Sequence, residues 1–374
     1  MNRMKALCIH EMRSMRWILL VGVVCVLAFC WRLNYFVYME EFYGTLQIRN
    51  GGAWSEFQIL NGGGSYFSSA LVALLGKCHV WSVFAFSIIV TLQFMDIHSR
   101  RKQEYIHSLP VTRIQRVIMK MVMGYAVITI CCMLLGIGVC IVRNQYMGNI
   151  SKYALISSTY QELLSNETIW HTLRSLVFSW IVLMTLYSIF VLIHNIVSHG
   201  VVACIISIGT MLVSIEFWRI SEYICGYFKN PTVEVPDRWY RTLNVFWGLL
   251  TSAESEFYYG GEHSITLGGS GALLLVSYDN YVIPTLFLLG NLILSMVLII
   301  LVNKRRDLAR GNVLVPNKVA RVCLSVMISL ALAVWLATCF FAVEVSWLRF
   351  VSISSVTCIV LFILCMKILK KQVK

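Results

Sequence analysis

The chain has 374 residues, of which 58% are hydrophobic and only 13% charged. A soluble domain carries roughly 25% charge, so too little polar surface remains to cover a water-facing globule. The net charge of +13 would suggest nucleic acid in a soluble protein, but here its distribution follows a membrane rule.

The apolar runs predict an all-α polytopic membrane protein with about eight transmembrane helices. Each crossing of about 30 Å of hydrocarbon takes about 20 residues. In chain order the runs are 17–31, 80–95, 118–142, 173–194, 200–218, 282–302, 322–343 and 350–367. The first is preceded by basic residues up to Arg16, in the manner of a signal peptide, and Leu27-Ala28-Phe29-Cys30 resembles a lipoprotein cleavage box. Phe29 is too large for the position before a cleaved bond, so the run reads as an uncleaved span. Before it, Met1, Met4, Leu7, Cys8 and Met12 recur at helical spacing among basic residues. Residues 1–16 are therefore expected as an amphipathic helix on the inner face.

Lys and Arg set the orientation. With the N-terminus inside, the inner segments are 1–16, 96–120, 195–199, 303–321 and 367–374. They hold 20 of the 31 basic residues and only four of the 18 acids: Glu11, Asp96, Glu104 and Asp307. Both termini are then cytoplasmic. The segments 32–79, 143–172 and 219–281 lie outside. The first and third carry glycine clusters and many aromatics, among them Tyr35, Phe36, Tyr38, Phe42 and Tyr43, and are expected to form interfacial helices or a small cap. Those aromatics read either as a headgroup belt or as a substrate-facing surface. The expected pair of spans around His194-Asn195-Ile196-Val197-Ser198-His199 lacks any Lys or Arg in its turn.

Most of the 13 cysteines fall in apolar runs, where Cys behaves as a small hydrophobe. Cys78 and Cys225 are the two placed outside, and whether they pair is left open. Asn166-Glu167-Thr168 is a formal glycosylation sequon on the outer side. No P-loop, H-E-x-x-H, G-x-S-x-G or Rossmann glycine pattern occurs, and Glu40-Glu41 has no supporting motif. No catalytic, cofactor-binding or metal-binding residue is expected. No Asp, Glu, Lys or Arg is expected mid-span, which argues against an ion-driven carrier, since such carriers keep costly charge near the midplane.

The signal concentrates in two inner loops. The first, 96–116, runs Asp96-Ile97-His98-Ser99-Arg100-Arg101-Lys102-Gln103-Glu104-Tyr105-Ile106-His107-Ser108-Leu109-Pro110-Val111-Thr112-Arg113-Ile114-Gln115-Arg116. Asp96 to Ser108 reads as a short helix, which Ser108-Leu109-Pro110 stops because the residue before Pro disfavours the α region. Thr112 is placed to cap the next helix. On charge alone the loop reads as a topology anchor. The second loop, 303–321, opens Asn303-Lys304-Arg305-Arg306-Asp307-Leu308-Ala309-Arg310-Gly311-Asn312-Val313.

Together these loops, with the later Lys120, resemble ABC transporter permeases of the type-2 exporter family, with Arg310 inserted between Ala309 and Gly311. The resemblance covers roughly 90–120 and 285–340. It implies one permease domain over 1–374, in a bacterial cell membrane. The first loop would be a coupling helix docking on a separate ATPase subunit through Arg100, Arg101, Glu104, Tyr105, Leu109, Pro110 and Arg113. ATP and Mg would sit on that partner, and a second permease subunit, identical or homologous, would complete the pathway. An amphipathic cargo, such as a peptide or lipid-like compound, suits uncharged spans. No nucleic-acid partner is implied, because a basic inner face also attracts anionic lipid. The alternative from another class is a non-transporting membrane sensor or assembly scaffold that binds a ligand through its outer segments.

Overall fold

The computed structural model describes residues 2–49, 66–95, 112–154, 168–210, 282–305, 315, 318–340 and 347–370. Among them there is no strand. Helices run over α1 (Asn2–Arg49), α2 (Tyr66–Gln93), α3 (Arg113–Ala154), α4 (Ile169–Ile196), α5 (Gly200–Thr210), α6 (Val282–Arg305), α7 (Lys318–Phe340) and α8 (Trp347–Lys370). Each overlaps one expected apolar run. Five contain stretches long and apolar enough to cross a membrane: Met15–Tyr35, Leu74–Gln93, Ile114–Asn149, Thr172–Ile196 and Ser352–Lys370. The apolar stretches of α5, α6 and α7 are shorter.

Two helices exceed any bilayer. With 48 residues, α1 is about 72 Å long, against about 30 Å of hydrocarbon. Its apolar window is framed by paired aromatic and cationic side chains. Arg16 lies over the Trp17 ring at 5.4 Å, Arg32 lies over Tyr35 at 5.6 Å, and Trp31 stacks on Tyr35. Residues 2–14 continue the same helix, with no break before the apolar window.

The helix α4 is the hub. In its most apolar stretch 72% is buried, compared with 11% in α1 and 6% in α8. It packs on α2, α3 and α6, and α1 packs chiefly on α3. The larger core joins α2, α3, α4, α5 and α6 through residues such as Phe94, Met121, Leu186, Phe190, Ala203 and Ile299. A second core brings Leu33 and Val37 of α1 to Phe67 and Leu71 of α2 and to Val139 and Tyr146 of α3. The helices α7 and α8 pack mainly on each other.

Apolar contact alone does not drive helices together in lipid, so polar side chains and small residues carry the specificity. From α4, Ser179 meets His79 of α2 at 2.6 Å, Trp180 donates to Thr129 of α3 at 3.2 Å, and Ser188 meets Tyr125 of α3 at 2.6 Å. Thr185 reaches the Leu288 carbonyl of α6 at 3.3 Å. His79 and Cys78 therefore lie within the apolar window of α2, which begins six residues earlier than the run read from sequence. Cys225, its suggested disulfide partner, lies outside the described residues. The expected turn is present: α4 ends at Ile196 and α5 begins at Gly200.

Glycines set the approach of α1 to α3. A Cβ placed at Gly22 would lie 2.6 Å from the Cys131 sulfur. One at Gly138 would lie 3.6 Å from the Cys30 Cβ, within the Cβ–Cβ range of disulfides, about 3.5–4.5 Å. Gly138→Cys is expected to form a disulfide with Cys30 under mild oxidation, seen as a cross-linked peptide by mass spectrometry. Gly136→Cys is the control, because the nearest side chain there is Leu176 at 3.8 Å. Equal cross-linking to Cys30 from both positions would contradict this packing.

Candidate functional site

Of the seven residues proposed to dock a partner, Arg100, Arg101, Glu104, Tyr105, Leu109 and Pro110 lie outside the described residues. Arg113 is the first residue of α3. The two roots of the loop are described, and they form the most elaborate polar site among the described residues.

The exit root begins with a cap. The Gln115 N–H donates to the Thr112 Oγ1 at 3.3 Å, and the Thr112 N–H donates to the Gln115 Oε1 at 3.0 Å. This reciprocal pair is a capping box, as the expected role of Thr112 requires. Thr112→Ala is expected to cost about 1 kcal/mol and to raise hydrogen exchange in the first turn of α3, with exchange in α4 unchanged.

Deeper in, the two roots bind each other reciprocally. Gln93, at the end of α2, donates its side-chain amide to the Lys120 carbonyl at 2.7 Å. Lys120 of α3 donates its ammonium to the Gln93 carbonyl at 2.8 Å. That carbonyl is one of the four left open at a helix C-terminus, where a cation is favoured. The Lys120 Nζ also lies 3.2 Å from each oxygen of the Glu11 carboxylate on α1. Both side chains are about 95% enclosed. Charge at such depth persists only when paired and hydrogen-bonded.

Tyr187 of α4 completes the arrangement. Its hydroxyl donates to the Gln93 Oε1 at 2.7 Å and also lies 3.3 Å from the Lys120 carbonyl. The ring is fully enclosed, edge-on to Tyr125 and Phe86. It fits because Gly124 stands one turn beyond Lys120. A Cβ at Gly124 would fall on the Tyr187 hydroxyl and the ring carbon that bears it. The glycine also leaves the Lys120 carbonyl uncovered for its two extra partners. Four helices thus meet at one clamp of Glu11, Gln93, Lys120 and Tyr187.

Beside the clamp, the end of α4 reaches α2 again and the root of the second loop. The Thr91 hydroxyl of α2 lies 2.9 Å from the His194 Nε2, and the Nδ1 faces the Phe190 carbonyl at 2.9 Å. A carbonyl only accepts, so Nδ1 carries the hydrogen. Next to it, Asn195 accepts from the Asn303 side chain of α6 at 3.0 Å. Asn303 opens the second basic loop. Farther along that loop, the Val315 N–H donates to the Leu369 carbonyl of α8 at 3.3 Å, and Arg321 grips the Val315 carbonyl at 2.9 and 3.2 Å.

These bonds link described residues near the ends of neighbouring helices. Glu11 of α1 meets Lys120 of α3, Thr91 of α2 meets His194 of α4, Asn195 of α4 meets Asn303 of α6, and Val315 meets Leu369 of α8. Among the described residues no cluster of three or more His, Cys, Asp or Glu side chains is placed to hold a metal. The arrangement ties both roots of the first loop to α1 and α4.

Sequence reading missed the clamp. Glu11 was counted only as an inside acid, Gln93 is uncharged at a run's end, and Tyr187 sits in an apolar run. The available signals were Gly124 four residues after Lys120, and a single acid in a basic N-terminal stretch.

The fold and its apolar windows define the class: an α-helical membrane protein, with five helices among the described residues long and apolar enough to span. Comparison with known protein families, with curated proteins and with solved structures finds no match.

Proposed function

We propose that the chain is the membrane-spanning permease subunit of an ABC transporter of the type-2 exporter kind, energised by a separate ATPase. In this reading all eight helices span the membrane, both termini are cytoplasmic, and residues 96–116 are the element that docks on the ATPase. The observation that carries the reading is the reciprocal closure of the loop's two roots by Gln93 and Lys120, clamped by Glu11 and Tyr187. A loop held this way cannot move without moving its roots. Displacement at the docking face is relayed to α4, whose apolar window is 72% buried, and to α1. A loop serving only as a charge anchor has no need of such a base.

The cargo suited to these spans is amphipathic, a peptide or lipid-like compound. The pathway would be completed by a second permease subunit, identical or homologous, and ATP and Mg would reside on the ATPase.

The test is co-expression with candidate ABC ATPases, purification in lipid nanodiscs, and measurement of co-purification and ATP turnover. A stoichiometric, ATP-hydrolysing complex is expected. Tyr105→Ala/Leu109→Ala removes two apolar anchors, each expected to contribute about 2 kcal/mol or more at an interface, and should abolish co-purification. A chain that binds no ATPase, or a complex indifferent to this double change, would favour a sensor or scaffold that binds ligand through its outer segments.

A further inference from the structure

The N-terminal part of α1 has two unlike faces. One holds Glu11 and Met15, both 3% exposed, against the clamp. Opposite, Ile9, Met12, Arg13 and Arg16 recur at the spacing of one helical stripe, and all four are exposed. The stripe runs on without interruption through Trp17, Leu20, Val24, Leu27 and Trp31, every one exposed. The lower part of this stripe is the exposed side of the apolar window Met15–Tyr35; with that window spanning the bilayer, the upper part falls at the headgroup layer.

Charge is arranged to match. Arg13 and Arg16 stand one turn apart, and among the described residues neither is paired with a carboxylate. The nearby acid, Glu11, faces the other way and is neutralised by Lys120. The Arg16 guanidinium lies over the Trp17 ring, which holds it at the boundary where an amphipathic ring prefers to sit. Arginine forks match phosphate oxygens with paired hydrogen bonds.

We propose that this stripe binds an anionic phospholipid from the leaflet at the N-terminal end of α1. Arg13 and Arg16 take the headgroup phosphate, and Trp17 and Leu20 line the upper acyl chain. The bound lipid steadies the same helix that presents Glu11 to Lys120, so leaflet composition acts on the loop roots. The proposal stands whether or not the chain is a transporter.

The test is purification from nanodiscs of equal phosphatidylcholine and phosphatidylglycerol, followed by native mass spectrometry of the retained lipid. The wild-type chain is expected to retain phosphatidylglycerol preferentially. Arg13→Gln/Arg16→Gln should lose about 25-fold in the ratio of binding constants, since each basic residue in contact with an anionic headgroup contributes roughly fivefold. Arg13→Lys/Arg16→Lys, which keeps the charge but not the paired hydrogen bonds, should fall between the wild type and the Gln variant. Lys367→Gln/Lys370→Gln, which removes two exposed charges of α8 outside the stripe, should cost far less than the change at Arg13 and Arg16. Thermal unfolding of each variant verifies the fold. No preference in the wild type, retention by the Gln variant, or an equal loss in the α8 variant would each overturn the site.

Discussion

Replacing Lys120 by Met should be among the most destabilising single changes in the chain, at about 3–5 kcal/mol. The Glu11 carboxylate is almost wholly enclosed, and both of its oxygens lie 3.2 Å from the Lys120 ammonium. Removing one member of a buried pair leaves the other as an uncompensated charge, which costs far more than the intact pair contributes. Lys120→Met also strips a donor from the Gln93 carbonyl. The double change Glu11→Gln/Lys120→Met should recover more than half of the loss, because a neutral amide in place of the carboxylate removes the stranded charge. Thermal unfolding in nanodiscs reads the effect, with Lys304→Met on an exposed position of α6 as the reference. If Lys120→Met proved no worse than that reference, or if the double variant were worse than the single one, the pair would not be buried as described. Within the transport reading, Lys120→Met should also uncouple ATP turnover from cargo while leaving ATPase binding in place.

What could be read from sequence was what depends on solvent and near neighbours. Each expected apolar run overlaps a helix because the energetic reason, apolar area kept from water, is written in consecutive residues. Thr112 was recognisable because its partner, Gln115, lies three residues away. Helix length was not legible. α1 and α3 continue well past their apolar runs, since hydropathy reports the surrounding medium and not backbone conformation. His79 was placed just outside a span because its partner, Ser179, is 100 positions distant. The clamp failed for the same reason at larger scale. Glu11 and Lys120 are 109 apart, and Gln93 and Tyr187 are 94 apart. Each of the four has an ordinary solitary explanation, and only their meeting changes it. Charge counting reached further than motif reading, because the electrostatic rule sums over whole loops. Within the described residues, hydrogen bonds link Glu11 to Lys120, Asn195 to Asn303 and Val315 to Leu369, residues that the charge count had placed in different loops.

Gly124→Val should be as damaging as the loss of Lys120, for a steric reason. The position is buried, and any side chain there must displace the Tyr187 hydroxyl and the ring carbon beneath it. Tyr187 is 1% exposed and wedged between Tyr125 and Phe86, so its rigid ring has nowhere to retreat. Overpacking of this kind typically costs about 1–3 kcal/mol. Displacing the ring also leaves the Gln93 Oε1 without the tyrosine hydroxyl, a further loss of about 1–3 kcal/mol for a buried group. The two losses act together, so Gly124→Val should unfold at a markedly lower temperature than the wild type, with Gly124→Ala intermediate. Tyr187→Leu separates them. By itself it forfeits the hydroxyl's hydrogen bond and opens space. Combined with Gly124→Val it should be better than the sum of the two single changes, because the new methyl groups then occupy room the ring has vacated. Strict additivity of the two changes would mean that Gly124 and Tyr187 do not touch. Favourable coupling would establish that a glycine on α3 is there to admit a tyrosine from α4. It would also show that the base of the first basic loop is built from residues more than 60 positions apart.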